Sequence, residues 1–63
     1  MNISRAEVRD RVRIRDIDTG SRRTWVVKND TDPFIGQREG GMVVIGMHRY
    51  EVDGIKKYRS LFG

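Results

Sequence analysis

From Arg9 to Lys28 the polar and apolar positions interlock: Val12 and Ile14 alternate with Arg11, Arg13 and Arg15. Successive side chains of a strand point to opposite faces, so this spacing predicts a β-strand from about Arg11 with an aliphatic row turned inward and a guanidinium row turned outward. Asp18-Thr19-Gly20-Ser21 supplies a polar reversal, and Trp25-Val26-Val27 reads as the returning strand of a hairpin. Parity places Trp25 and Val27 in the core with Thr24 and Val26 outside. The opposite parity would expose Trp25 for base stacking or partner contact.

On either side of this hairpin the pattern is less regular. Ser4-Arg5-Ala6-Glu7 has the spacing of a capping box and predicts one short N-terminal helical turn closed by Val8. The competing reading starts the strand near Val8, which shares parity with Val12 and Ile14. Residues 29–41, NDTDPFIGQREGG, predict a long ordered connection with a mobile tip over Gln37–Gly40, pinned to the sheet by Phe34-Ile35. Met42-Val43-Val44-Ile45 is the strongest continuous apolar run and predicts a strand covered on both faces. Gly46 then bends or ends it, which sets the strand number at four or five. Asp53-Gly54 predicts a two-residue turn pairing Val52 with Ile55, Glu51 with Lys56, Tyr50 with Lys57 and Arg49 with Tyr58. Leu61-Phe62 is expected to return to the core, or else to form an exposed tail for a partner.

These elements predict a mainly β single domain over residues 1–63: a small antiparallel SH3-like barrel or a strongly twisted four- to five-stranded sheet. A helical DNA reader is disfavoured because no second amphipathic segment of helical length exists. At 63 residues the domain buries roughly 60% of its unfolded surface, so its stability is modest. No cysteine is present to add a disulfide or a thiolate metal site. No run approaches the roughly 18 apolar residues of a membrane span, and Met1-Asn2-Ile3-Ser4-Arg5 lacks the apolar stretch of a secretory signal. A soluble, cytoplasmic protein is expected.

Charge narrows the picture further. The formal charge is +4, and ten of the thirteen basic residues are arginine, the side chain suited to planar contact with phosphate or carboxylate. Residues 1–27 hold seven basic and four acidic side chains, residues 42–63 four and two, and the stretch between them is net −1. Arg11, Arg13 and Arg15 would stand about 6.6–6.8 Å apart on one face, close to two steps of about 3.4 Å along one DNA strand. The alternative is that Asp10, Asp16 and Asp18 neutralise the row across the sheet.

Candidate chemistry adds little. His48 is the only histidine, with no cysteine or serine in a nucleophile pattern beside it, and the calcium-loop, HExxH and phosphate-loop patterns are absent. No catalytic, metal or cofactor residue is expected. The pattern instead predicts a small non-catalytic accessory or regulatory protein, of the kind found in transcription control or in plasmid and viral systems, that binds nucleic acid. Arg11, Arg13, Arg15, Arg22 and Arg23 would contact phosphate, and Arg49, Lys56, Lys57 and Arg59 would extend the surface. Trp25, Tyr50 and Tyr58 are the candidates for stacking or interface contact. The alternatives are a module that docks on, and inhibits, an acidic protein, and a structural protein that self-assembles through an open sheet edge. The sequence leaves DNA, RNA and oligomeric state open.

Overall fold

A computed structural model describes residues 4–59. Four strands, β1 (Arg11–Asp16), β2 (Arg22–Val26), β3 (Met42–Ile45) and β4 (His48–Lys56), form one antiparallel sheet in the order β2-β1-β4-β3. The first hairpin forms as its alternation requires. Val12 and Ile14 are fully buried, and Arg11 and Arg13 are exposed on the other face. Gly20 closes the reversal at φ +77, and the Asp16 carboxylate accepts the N–H groups of Asp18 and Thr19 at 2.9 and 3.1 Å. Such an aspartate turn satisfies backbone donors that the loop would otherwise leave unpaired.

The sheet is open. The expected SH3-like barrel does not form, because β2 and β3 lie on opposite edges and never pair. The connection between these strands covers the apolar face instead. Phe34 is fully buried there, with ring centroids 5.1 Å from Trp25 and 6.2 Å from Tyr50. Asp32 fixes this arch: one carboxylate oxygen accepts Trp25 Nε1–H at 2.8 Å and the other accepts the Phe34 N–H at 2.8 Å. The core is therefore a sheet closed by a loop, with Ala6, Val27, Val43 and Val52 completing the buried set.

No helix is present among the described residues, so the N-terminal turn predicted from Ser4 and Glu7 is absent. Ala6 is buried and exchanges backbone bonds with the loop, donating to Gln37 O and accepting from Gly36 N, each at 2.8 Å. A helical turn would turn those groups away from the loop. Glu7 N–H donates at 2.8 Å to the carboxylate of Asp10 and not to a Ser4 cap.

The second hairpin turns at Gly46-Met47, seven residues before the expected Asp53-Gly54. Ile45 pairs with His48 and Met42 with Glu51. Gly46 has φ +60 while Met47 does not share that sign, the backbone of a tight hairpin turn with glycine first. β4 runs straight through Asp53-Gly54, so the four pairs predicted around that turn do not form. Val52 and Ile55 lie over Ile14 and Val12 of β1, which gives the central strand its second partner. The Asp-Gly pair serves as a bulge: the register moves from Arg13 opposite Gly54 to Ile14 opposite Val52, leaving Asp53 unpaired. A side chain at Gly54 would meet the Arg13 guanidinium at 3.0 Å, so the glycine leaves room for that group to lie across the strand.

β3 is an edge strand and is not covered on both faces. Only Val43 is buried, and Met42 and Val44 are 57% and 61% exposed. Leu61-Phe62 lies outside the described residues. No helix among those described is long and apolar enough to cross a membrane.

Truncating the arch at its centre tests this construction. Phe34→Ala is expected to cost about 3–5 kcal/mol, most of the stability of a chain this short. Urea denaturation followed by circular dichroism and amide dispersion should show a largely unfolded protein, and a loss below about 1 kcal/mol would mean that the loop does not close the core.

Candidate nucleic-acid interface

The outward face of the sheet is built from alternate residues of β1 and their cross-strand partners. Arg11 lies between Val26 and Lys56, Arg13 between Thr24 and Gly54, and Arg15 between Arg22 and Glu51. Arg49, opposite Val44, extends the same face toward the edge. Arg22 and Arg23 are separated by strand parity: Arg22 joins the outward row, while Arg23 is opposite Ile14 on the other face, though exposed at the sheet edge.

The carboxylates divide this face into two halves. At the Arg15 end, Arg15 Nη2 donates to Glu51 at 3.1 Å, Arg49 Nη2 to Asp18 at 2.6 Å, and Arg22 Nε lies 4.0 Å from Asp53. Asp18 raises the pKa of Arg49 still further through its hydrogen bond and its charge. At the Arg11 end, no carboxylate among the described residues lies within 4.0 Å of Arg11, Arg13 or Lys56. Glu39 borders a shallow hollow beside these three cations without pairing with any of them. Arg11 and Lys56 are direct cross-strand neighbours, a like-charge pairing that weakens a sheet.

Of the three aspartates able to neutralise basic groups across the sheet, Asp18 pairs with Arg49, and Asp10 and Asp16 are used elsewhere. Asp16 is buried and engages His48 Nδ1 at 3.0 Å in addition to its own turn. The Thr19 N–H, with help from Asp18 N–H and His48 and against the effect of burial, holds the Asp16 carboxyl below its ordinary value. Asp10, also buried, binds the Lys57 ammonium at 2.5 Å and accepts the N–H groups of Tyr58 at 2.7 Å and Glu7 at 2.8 Å. Burial pushes its pKa up, but the Lys57 ammonium and the two backbone donors together outweigh that and lower it. Lys57 is raised in turn, chiefly by its hydrogen bond to Asp10, and also donates to Arg5 O at 2.7 Å. Lys57 thus serves as a structural tie, unlike its neighbour Lys56.

The aromatic candidates separate in the same way. Trp25 is half-buried with its indole N–H spent on Asp32, and half-buried Tyr50 packs edge-on to Phe34. Tyr58 is 53% exposed, with the Arg9 guanidinium 5.5 Å from its ring centroid. Arg9 and Lys28 join Arg11, Lys56 and Arg59 around an open cleft of about 1030 Å³ at this end of the sheet. Sequence reasoning passed over Arg9 and Lys28 because both lie just beyond the strands, where alternation carries no signal. Their charge and their nearness to the hairpin ends were the available clue.

His48 faces Asp16, and no hydroxyl is hydrogen-bonded to its ring among the described residues. Those residues also include no group of three or more His, Cys, Asp or Glu placed to hold a metal ion. Comparison with protein-family models, with curated proteins and with solved structures finds no match to this chain.

The Asp10 tie has a definite pH signature. Its folded pKa lies below the ordinary 3.8, so its contribution to stability is present above that value and is lost as pH falls through the folded pKa. The raised Lys57 pKa acts at the other end: its contribution is present below the ordinary 10.5 and is lost as pH rises through the folded value. Asp10→Asn is expected to lower stability at neutral pH by about 1–3 kcal/mol, since it leaves buried donors poorly paired. It should also flatten the decline in stability between about pH 5 and 2. Urea midpoints across that range check both effects, and an unchanged acid limb would remove Asp10 from this role.

Proposed function

We propose that this chain is a small cytoplasmic nucleic-acid-binding accessory protein that contacts phosphate through the half of its outward sheet face whose cations have no ion pair among the described residues. The observation that carries the reading is the placement of Arg11 directly across from Lys56 with no carboxylate within 4.0 Å among the described residues. That arrangement costs sheet stability through like-charge repulsion. An external polyanion relieves the repulsion and completes the charge balance. Arg13, spread over Gly54, adds a planar guanidinium to the same half. Contacts of this type govern affinity and register and carry no base sequence by themselves.

Oligonucleotide titration followed by fluorescence anisotropy tests the reading. With about three phosphate contacts to a single strand, from Arg11, Arg13 and Lys56, affinity should fall roughly 20-fold between 50 and 200 mM salt. Arg11→Gln/Lys56→Gln is expected to weaken binding about tenfold or more while keeping the fold, because it removes a repulsive pair. Arg15→Gln/Arg49→Gln should change binding far less, since both side chains already have carboxylate partners. No binding at 50 mM salt, or the reverse order of the two double variants, would reject the proposal.

A second reading is favoured by the free edge. Among the described residues β3 pairs with β4 alone, and Met42, Val44 and Met47 are 57%, 61% and 95% exposed. An unpaired edge flanked by apolar side chains is a template for another strand, so self-association through β3 is the alternative. Light scattering coupled to size exclusion decides it. Dimerisation abolished by Val44→Lys supports edge pairing, and a monomer at every working concentration counts against it.

A further inference from the structure

Arg11 and Lys56, two of the sheet-face cations without an ion pair among the described residues, also line the open cleft of about 1030 Å³ at the end of the sheet. Arg9, Lys28 and Arg59 line it with them, beside the tied Lys57. The apolar part of the lining comes from Val26, Val27, Ile55 and Tyr58. Val26 is 47% exposed and Tyr58 53%, so neither is consumed by the core.

Two features show that this aromatic is built into place. The Tyr58 N–H donates to buried Asp10 at 2.7 Å, which fixes the backbone that carries the ring. Arg9 then holds its guanidinium 5.5 Å from the ring centroid. Arg9 does so from φ +78, a left-handed conformation that L side chains adopt at a steric cost and glycine adopts freely. The turn alone has no need of an arginine there.

We infer that the cleft seats a single strand of nucleic acid, with one base laid against Tyr58 and the adjoining phosphates held by Arg11 and Lys56 on one side and by Arg9 and Lys28 on the other. The inference rests on the nucleic-acid reading and deepens it, assigning an unpaired strand over a duplex. A duplex keeps its base faces stacked inside, so it offers the basic rim phosphates but gives the tyrosine ring no base face to stack on. An unpaired strand uses charge and stacking together, and it does so for any base, because every base has a π face.

The test compares a mixed-sequence single-stranded oligonucleotide with a duplex of the same length, both titrated with the full chain at fixed salt. The single strand is expected to bind about tenfold tighter or more. Tyr58→Ala should weaken single-strand binding by roughly 5- to 150-fold and leave duplex binding unchanged, while Tyr58→Phe keeps wild-type affinity. Arg9→Gly provides the control for folding: its thermal midpoint should stay level or rise as the left-handed strain is relieved, while its single-strand affinity falls. Duplex binding equal to or tighter than single-strand binding overturns the cleft assignment and leaves the phosphate-binding face standing. So does a Tyr58→Ala variant that loses both polymers to the same degree. Failure of the wild-type chain to bind either polymer at low salt overturns both.

Discussion

Burial of the Asp10 carboxylate is the constraint on which the rest of the molecule depends. A carboxylate taken out of water must recover its lost solvation from donors, and Asp10 does so with the Lys57 ammonium and two backbone N–H groups. Those donors come from the segment before β1 and from the residues after β4, so one side chain ties two distant parts of the chain side by side. Its backbone extends the tie to the end of β2, where Val27 N donates to Asp10 O. Arg9 adjoins Asp10 in the chain, Tyr58 is one of its donors, and both line the basic cleft.

The same economy explains the charge distribution. A basic chain of this size has few carboxylates, and each one that stabilises a turn or a buried donor is withdrawn from the sheet face. Asp10, Asp16 and Asp32 are the buried acids, and all three organise backbone. Of the acids that remain near the outward face, Glu51, Asp53 and Asp18 pair with Arg15, Arg22 and Arg49, while Glu39 borders the Arg11 end without pairing there. Arg11, Arg13 and Lys56 are left without an ion pair among the described residues, and the uneven pairing is a by-product of where the fold needs its carboxylates. Surface pairs such as Arg22 with Asp53 contribute little to stability, so the division matters for recognition more than for folding.

The open sheet sets the other boundary of the molecule. Covering the apolar face with residues 27–41 needs a large side chain at the centre of the loop and a polar clamp at its base, and Phe34 and Asp32 supply them. With that face closed by the loop, β2 and β3 stay on opposite edges, and among the described residues β3 keeps an unpaired side with Met42 and Val44 exposed on it.

Alternation determined the first strand, with Val12 and Ile14 inward and Arg11, Arg13 and Arg15 outward, and left two parities for Trp25 and Val27, of which the structure takes the one that turns them to the core. The apolar pair Phe34-Ile35 in a polar stretch marked the pin of the long connection. Period-two patterning is a local property, legible wherever one face is apolar. The Asp53-Gly54 turn, the helical turn from Ser4 and the closed barrel were misread because each depends on which distant segment competes for the same backbone groups. Gly46-Met47 and Asp53-Gly54 both carry turn chemistry; the choice fell to Gly46 because β1 needed Val52 and Ile55 as its second neighbours. Which arginines keep a carboxylate, and how Arg9, Lys28 and Tyr58 come together, were likewise decided only in three dimensions. Ion pairing depends on distances between strands, and those distances exist only after the register is set.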